Sequence, residues 1–401
     1  MLNEIKRFVQ TVFFWLTDWL ACQTYRESGG GLVQIRLDAI GDFILWLDCA
    51  REIRALYPKQ RITLIANSNW FDLAERLPYW DEVWSVEVSE LSSIRMLLDR
   101  WRLLRKIRQR GFEGAIHPVF SRKLLLGDSL VRATGASDRI GSTGDLGNIQ
   151  PWQRRISDGW YTRLLPLTEH QTAELERNAE FMRNLGSINY VTVAPCLPKV
   201  TTLDSAFRFD GPYFVIFPGA SSFGRRWPVE EFCALVRDLQ ARTGWRPVLC
   251  GSQGEQNLCS AIAEKCLPGV SNLAGQTALS DFVEVVRGAR FLVGNETSAV
   301  HIAAAVKTPS VCILGGGHFR RFVPYPKHAS DCGPVVVYHQ MPCFGCNWRC
   351  TQPHARDRPY PCISRVTVDA VVSAVDCALQ AKGNQLRYTQ VRRPSSDKRG
   401  A

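Results

Sequence analysis

No stretch of this chain is apolar for long enough to cross a bilayer. A spanning helix needs about 20 consecutive apolar residues, and the run from Thr11 to Ala21 is shorter than that and contains Asp18. The same opening segment lacks the form of a secretory signal, because Glu4 and Asp18 both fall inside it. The chain therefore reads as cytoplasmic. No repeat of solenoid period is present, and no DNA- or RNA-binding motif accompanies the basic residues, so nucleic acid is not expected as a partner. The 14 cysteines lack the small secreted setting that would make them a disulfide framework: the chain has 401 residues, and the ten cysteines outside residues 343–362 are scattered through apolar runs, as reduced, buried thiols are. With 45% hydrophobic and 22% charged residues, disorder is not the default either.

What is present is a charge excess of +11, which calls for an anionic partner: a membrane surface or a phosphorylated substrate. Residues 1–30 form an amphipathic amino-terminal segment. Ile5, Phe8, Val9, Val12, Phe13, Leu16, Trp19 and Leu20 recur at helical spacing, with Lys6 and Arg7 near the start. Such a helix either lies flat on a membrane or packs on the body of the protein. The basic stretch Arg95 to Arg110 offers the same two readings, a core-facing helix with a solvated side or a contact with an anionic leaflet.

From Gly31 short apolar runs alternate with helical stretches: GLVQIRL then a helix from Asp42, RITLIA, EVWSV, a long basic helix, EGAIHP, and a short strand near Arg139. After a loop-rich passage, a helix from about Gln171 to Leu185 and a Pro-containing connection, a second series begins. It runs through YFVIFPG, RPVLCG, a turn at VSNLAG, FLVGN and SVCIL, with helices between. Alternation of this kind predicts α/β units on parallel sheets. The expected layout is a first Rossmann-like domain over residues 31–200, a second over 201–382 that includes a Cys-rich loop at 343–362, and a basic polar tail at 383–401. Two such domains predict a cleft, with ligands bound beyond the carboxyl ends of the strands.

Three strand ends carry candidate chemistry. IRLDAIGD places Gly41 and Asp42 at a strand-to-helix turn; Asp42 is either a helix-terminal residue complementing the dipole or a general base, and Asp38 is its local rival. FPGASSFGRRW places Gly219, Ser221 and Arg225 in a small-residue loop, which is either an exposed basic loop or an anion site in which a guanidinium fork meets phosphate. Trp227 reads as a packing residue. VGNETSAVHIAAA opens a helix at Thr297 and Ser298, whose free N–H groups suit an anion, with Glu296 placed to orient a ribose or a neighbouring cation; His301 alone among alanines reads more simply as structural.

Taken in order, IRLDAIGD, FPGxxxxxRxW, NLAGxTxL and VGNExSAxHxAAAxxTP resemble glycosyltransferase family 9, the bacterial heptosyltransferases of the lipopolysaccharide inner core, from about Leu32 to Ala378. The resemblance implies a GT-B architecture, two Rossmann-like parallel-sheet domains facing a cleft, and inverting transfer of a sugar, heptose from ADP-heptose, onto a lipopolysaccharide or related envelope glycan. It implies Asp42 as catalytic base, Arg225 against the donor diphosphate, Glu255 near the donor ribose, Thr297 and Ser298 at the phosphate, and the motif histidine at His301. The chain departs from the pattern with Glu296 where Asp is usual, Ser298 where Gly is common and Arg225 where Lys is common, changes that bear on donor identity. The implied donor partner is a nucleotide-diphosphate sugar; on the membrane reading of the basic and amphipathic segments, the enzyme would sit peripherally on the anionic cytoplasmic face of the inner membrane, where a phosphorylated, lipid-linked glycan acceptor would be presented. No cofactor is implied beyond the ADP-sugar substrate. The alternatives are a GT-B transferase or epimerase using another nucleotide sugar, or a non-catalytic nucleotide-sugar-binding scaffold.

Cys343, Cys346, Cys350 and Cys362 form a local cluster. CxxC is a good opening half of a structural zinc site, but the second half lacks a matching pair, so the spacing does not favour metal over a thiol-rich or disulfide-closed loop.

Overall fold

In the computed structural model the alternating runs become two parallel six-stranded sheets. The structure describes residues 2–91, 94–168, 172–199, 203–266, 268–355 and 357–380. The chain divides into two units, Met1–Thr201 and Thr202–Ala401.

The first unit holds β1 (Leu32–Arg36), β2 (Ile62–Asn67), β3 (Glu82–Val86), β4 (Gly114–His117), β5 (Asp138–Ser142) and β6 (Arg163–Leu165), in the order β3-β2-β1-β4-β5-β6. Central β1 pairs in parallel with both neighbours, Val33 opposite Thr63 on one side and Ala115 on the other. All five β1 residues are buried, as a strand covered by helices on both faces must be. Helix α1 (Leu2–Cys22) precedes the sheet, and α2 (Ile40–Leu56) follows β1. The core gathers Val33, Ile35, Ile65, Ala115 and Leu130 with Leu104 and Ile107 of the basic helix Leu97–Arg110.

The second unit holds β7 (Tyr213–Phe217), β8 (Arg246–Leu249), β9 (Ser271–Asn272), β10 (Leu292–Asn295), β11 (Ser310–Ile313) and β12 (Val335–Val337), ordered β12-β11-β10-β7-β8-β9. Counted from its own first strand this is the same order as the first sheet. Phe214, Ile216, Val293, Val311 and Ile313 supply the sheet side of its core, closed by Phe232, Val236 and the carboxy-terminal helix Val368–Gln380. In both sheets the winding reverses beside the first strand, between β1 and β4 and between β7 and β10, and such a switch opens a crevice at the strand ends.

Some local expectations change. VSNLAG, read as a turn, pairs Ser271 and Asn272 with β8 as an edge strand. The helix expected from Gln171 begins at Glu174. Cys196 and Cys377, expected to be buried, are exposed: Cys196 lies in the Pro-containing connection and Cys377 on an outer position of the last helix, whose core face is Val371, Val372, Ala374, Val375 and Ala378. The basic tail lies outside the described residues.

Candidate active site

The turn after β1 is held by buried side chains. Arg36, the last residue of β1, is 3% exposed; its guanidinium pairs with the Asp38 carboxylate at 2.8 Å and donates to the Asp42 carbonyl at 3.2 Å. The Asn67 amide and the Trp70 indole N–H donate to the Asp38 carbonyl at 3.2 and 3.0 Å. Asp38 is therefore engaged in building the turn, with burial raising its pKa and Arg36 opposing that rise. Asp42 is half-buried in the first turn of α2, where the N-cap is Ala39 and no side chain caps. An acidic side chain there complements the positive end of the helix dipole.

At the end of β4 lies a network that the sequence did not flag. His117 Nδ1 is 2.8 Å from the Tyr161 hydroxyl, which donates to Asp128 at 2.6 Å. Burial holds the His117 imidazole down near about 4, so it is neutral at pH 7 and positions Tyr161.

In the second unit the candidate residues meet at the ends of three adjacent strands, β10, β7 and β8. Asn295, fully buried at the end of β10, joins the pieces: its amide donates to the carbonyls of Pro218 and Gly219 at 2.8 and 3.2 Å, and its own carbonyl accepts from Trp227 N–H at 3.1 Å. One side chain thus sets the loop after β7 against the entry to the helix Val229–Thr243. Trp227 is 1% exposed and donates to the Val366 carbonyl, a packing role. A Cβ at Gly219 would fall 1.7 Å from Glu255 Oε1, so a larger residue there would displace that carboxylate. Glu255 in turn accepts from Ser252 N–H and Oγ–H at 2.7 and 2.8 Å, closing the turn after β8.

Arg225 stands over this floor. It donates to Ser221 Oγ at 2.8 Å and to the Glu296 carbonyl at 3.0 Å, and lies 3.5 Å from a Glu296 carboxylate oxygen. Its guanidinium stacks 4.3 Å from the Trp348 ring. Glu296 is 5% exposed, and neither of its carboxylate oxygens accepts a hydrogen bond. Burial pushes its carboxyl up to about 7, with Arg225 and Arg321 pulling the other way. Thr297 is the N-cap of the helix Ser298–Ala305, makes no side-chain cap, and has a buried hydroxyl with no partner. The amides of the first helical turn therefore lack side-chain capping at this end. His301 is not part of this surface: it is 4% exposed and bonded through Nδ1 to Tyr325 Oη at 2.8 Å. Desolvation lowers its pKa to about 4, so it is neutral.

The four clustered cysteines line one cavity of about 10 Å³ together with Trp348 and Tyr360. Among the described residues no group of three or more His, Cys, Asp or Glu side chains is arranged to hold a metal ion. The loop does reach Arg225. Trp348, held by a bond from its indole N–H to His318 Nδ1 at 3.1 Å, packs against Gly315 and Gly317 and lies against Arg225, while Tyr360 N–H donates to the Gly224 carbonyl at 2.8 Å. Asn295 and Trp348 were missed from sequence. A polar residue ending an apolar strand was the available signal for the first; nothing local marks the second.

Residues 156–351 match the family described as glycosyltransferase family 9 (heptosyltransferase). Lipopolysaccharide heptosyltransferase 3 of Escherichia coli K12 is 23% identical over 284 residues, covering 69% of this chain and 79% of the relative. The solved E. coli ADP-heptose lipopolysaccharide heptosyltransferase II superposes with a TM-score of 0.63 at 18% identity, covering 88% of this chain and 99% of that one. An E. coli heptosyltransferase holding ADP-2-deoxy-2-fluoro heptose does so with a TM-score of 0.63 at 17% identity, covering 86% and 98%.

Proposed function

On the premise that this chain is a glycosyltransferase of the family 9, heptosyltransferase-like kind with the α/β fold of the GT-B class, we propose that it moves heptose from ADP-heptose onto a lipopolysaccharide or related envelope glycan, inverting the anomeric centre. The single observation that carries this reading is the surface at the β7/β10 switch point. There an Arg225 fork held by Ser221 and the Glu296 carbonyl stands beside the opening turn of the helix Ser298–Ala305 and a buried carboxylate whose oxygens accept no hydrogen bond.

In the proposed step the Asp42 carboxylate accepts the proton of an acceptor hydroxyl as that oxygen bonds to the anomeric carbon. The bond from that carbon to the diphosphate oxygen breaks, and ADP leaves with the electron pair. Negative charge grows on the departing diphosphate, where Arg225 and the helix amides stabilise it. Glu296, one methylene longer than the usual aspartate, accepts a hydroxyl of the bound sugar or ribose, and Glu255 lies on the ribose side at the end of β8. Transfer of this form draws its charge stabilisation from the protein and asks for no metal. A phosphorylated, lipid-linked acceptor would bring the enzyme to the cytoplasmic face of the inner membrane as a peripheral protein.

The test is a donor panel of ADP-, UDP-, GDP- and dTDP-linked sugars, incubated with a glycan acceptor in chelator-treated buffer. Selective turnover of ADP-heptose is expected. Selective use of another base, or epimerisation of a donor without acceptor, would replace this assignment with one of its rivals.

A further inference from the structure

Helix α1 is attached to the first unit along one narrow side. Phe14, Asp18 and Ala21 are buried, and both Asp18 carboxylate oxygens are taken by Arg100, at 2.8 and 2.6 Å. That guanidinium also lies 5.1 Å from the Phe14 ring. At about 100° per residue these positions share one helical face. Val9, Phe13, Leu16, Trp19 and Leu20 fall on the opposite face and are 41–59% exposed. From Val9 to Cys22 the one charged residue is Asp18, on the docked side. Exposed apolar area of this size on one element marks a contact surface.

Its surroundings indicate what covers it. The Arg132 guanidinium lies 5.3 Å from the ring of Trp15, itself 37% exposed, and donates to the Trp15 carbonyl. Arg108 lies within electrostatic range of Cys22 at the helix end. The helix Pro151–Asp158, tied to α1 by Gln153 donating to Thr11 Oγ1, carries exposed Arg155 and Ile156. Tryptophan and aliphatic side chains rimmed by guanidinium groups fit the boundary between acyl chains and anionic headgroups. A second copy of the chain would bring a like-charged rim against this one. Among the described residues no helix is long and apolar enough to cross a membrane, so α1 would lie in the plane of the interface.

We infer that the outward face of α1 is the surface by which this protein rests on an anionic lipid bilayer, its apolar side chains at the acyl boundary and the flanking guanidinium groups on lipid phosphates. This deepens the peripheral placement given above and rests on that reading only for the choice of lipid. The test is co-sedimentation of the full chain with vesicles of phosphatidylethanolamine and phosphatidylglycerol, without donor or acceptor. Binding is expected, weaker at high salt or without the anionic lipid, and reduced at least about tenfold in the pair L16E/L20E. Both positions face away from the docked side, so an unchanged melting curve is expected, and L16S/L20S serves if the glutamates unfold the chain. Equal vesicle binding by wild type and variant would overturn the inference. So would absence of binding, including the case of a concentration-dependent dimer that the variant dissociates. Retention of ADP-sugar binding in the same preparations separates failure of this surface from failure of the transferase reading.

Discussion

Asn295→Asp probes the joint between the loop after β7 and Trp227 with almost no change in volume. The carbonyl that accepts from Trp227 N–H is kept, while the amide group that donates to Pro218 and Gly219 becomes an oxygen facing two carbonyl oxygens at 2.8 and 3.2 Å. Leaving buried acceptors unmet costs about 1–3 kcal/mol each, so a loss of roughly 2–6 kcal/mol is expected, a large part of a typical stability of about 5–15 kcal/mol. Burial and the two carbonyls favour the protonated acid, which raises the folded-state pKa of the new carboxyl above its unfolded value. The deficit is then smallest at acid pH and deepens as pH rises from the unfolded pKa to the folded one, by about 1.4 kcal/mol for each pH unit between them. Urea unfolding of variant and wild type at pH 5 and pH 8 gives the difference directly. A variant as stable as wild type at both pH values, or a deficit that shrinks as pH rises, would refute the role given to Asn295.

Trp348→Ala removes the ring under Arg225, an interaction of about 0.5–2 kcal/mol, and should raise the KM for donor roughly 2- to 30-fold with a smaller effect on kcat; an unchanged donor KM would show that the Cys-rich loop does not support Arg225. For Glu296, pushed up to about 7 by burial, the stabilising form is the protonated one. Its contribution is full below the unfolded carboxylate pKa of about 4.3 and is lost as pH rises toward 7, so Glu296→Gln should flatten that part of the stability curve, and urea melts across pH 4.5–8 that keep the wild-type slope would contradict it. Asp18→Asn breaks a buried ion pair and leaves Arg100 uncompensated, a cost of about 3–5 kcal/mol, read as a lower unfolding midpoint; a midpoint equal to wild type would mean that α1 is not held by this pair.

The two-sheet α/β class was legible because β1, β7 and β10 are short apolar runs, each followed by a helix, and burial on both faces leaves no alternation to confuse them. The edge strands β6, β9 and β12 were not, since two or three residues carry no period. Arg225, Glu296, Thr297 and Ser298 stood out because each lies at a strand end or helix start, and local order alone brings Glu296 to Ser298 together. Asn295 sits among them unmarked, as its value lies in carbonyls contributed from the loop after β7. Trp348 reaches Arg225 only through the folding of a loop far along the chain. The exposure of Cys196 and Cys377 was equally hidden, because an apolar neighbourhood in sequence does not say which side of a helix or connection faces the core.

Asp42→Asn tests the transfer chemistry most directly. Donor affinity should stay within about twofold of wild type while ADP release in the presence of acceptor falls by at least about a hundredfold, the size of a lost general base. Near-normal ADP release with unimpaired product formation would remove Asp42 from the reaction.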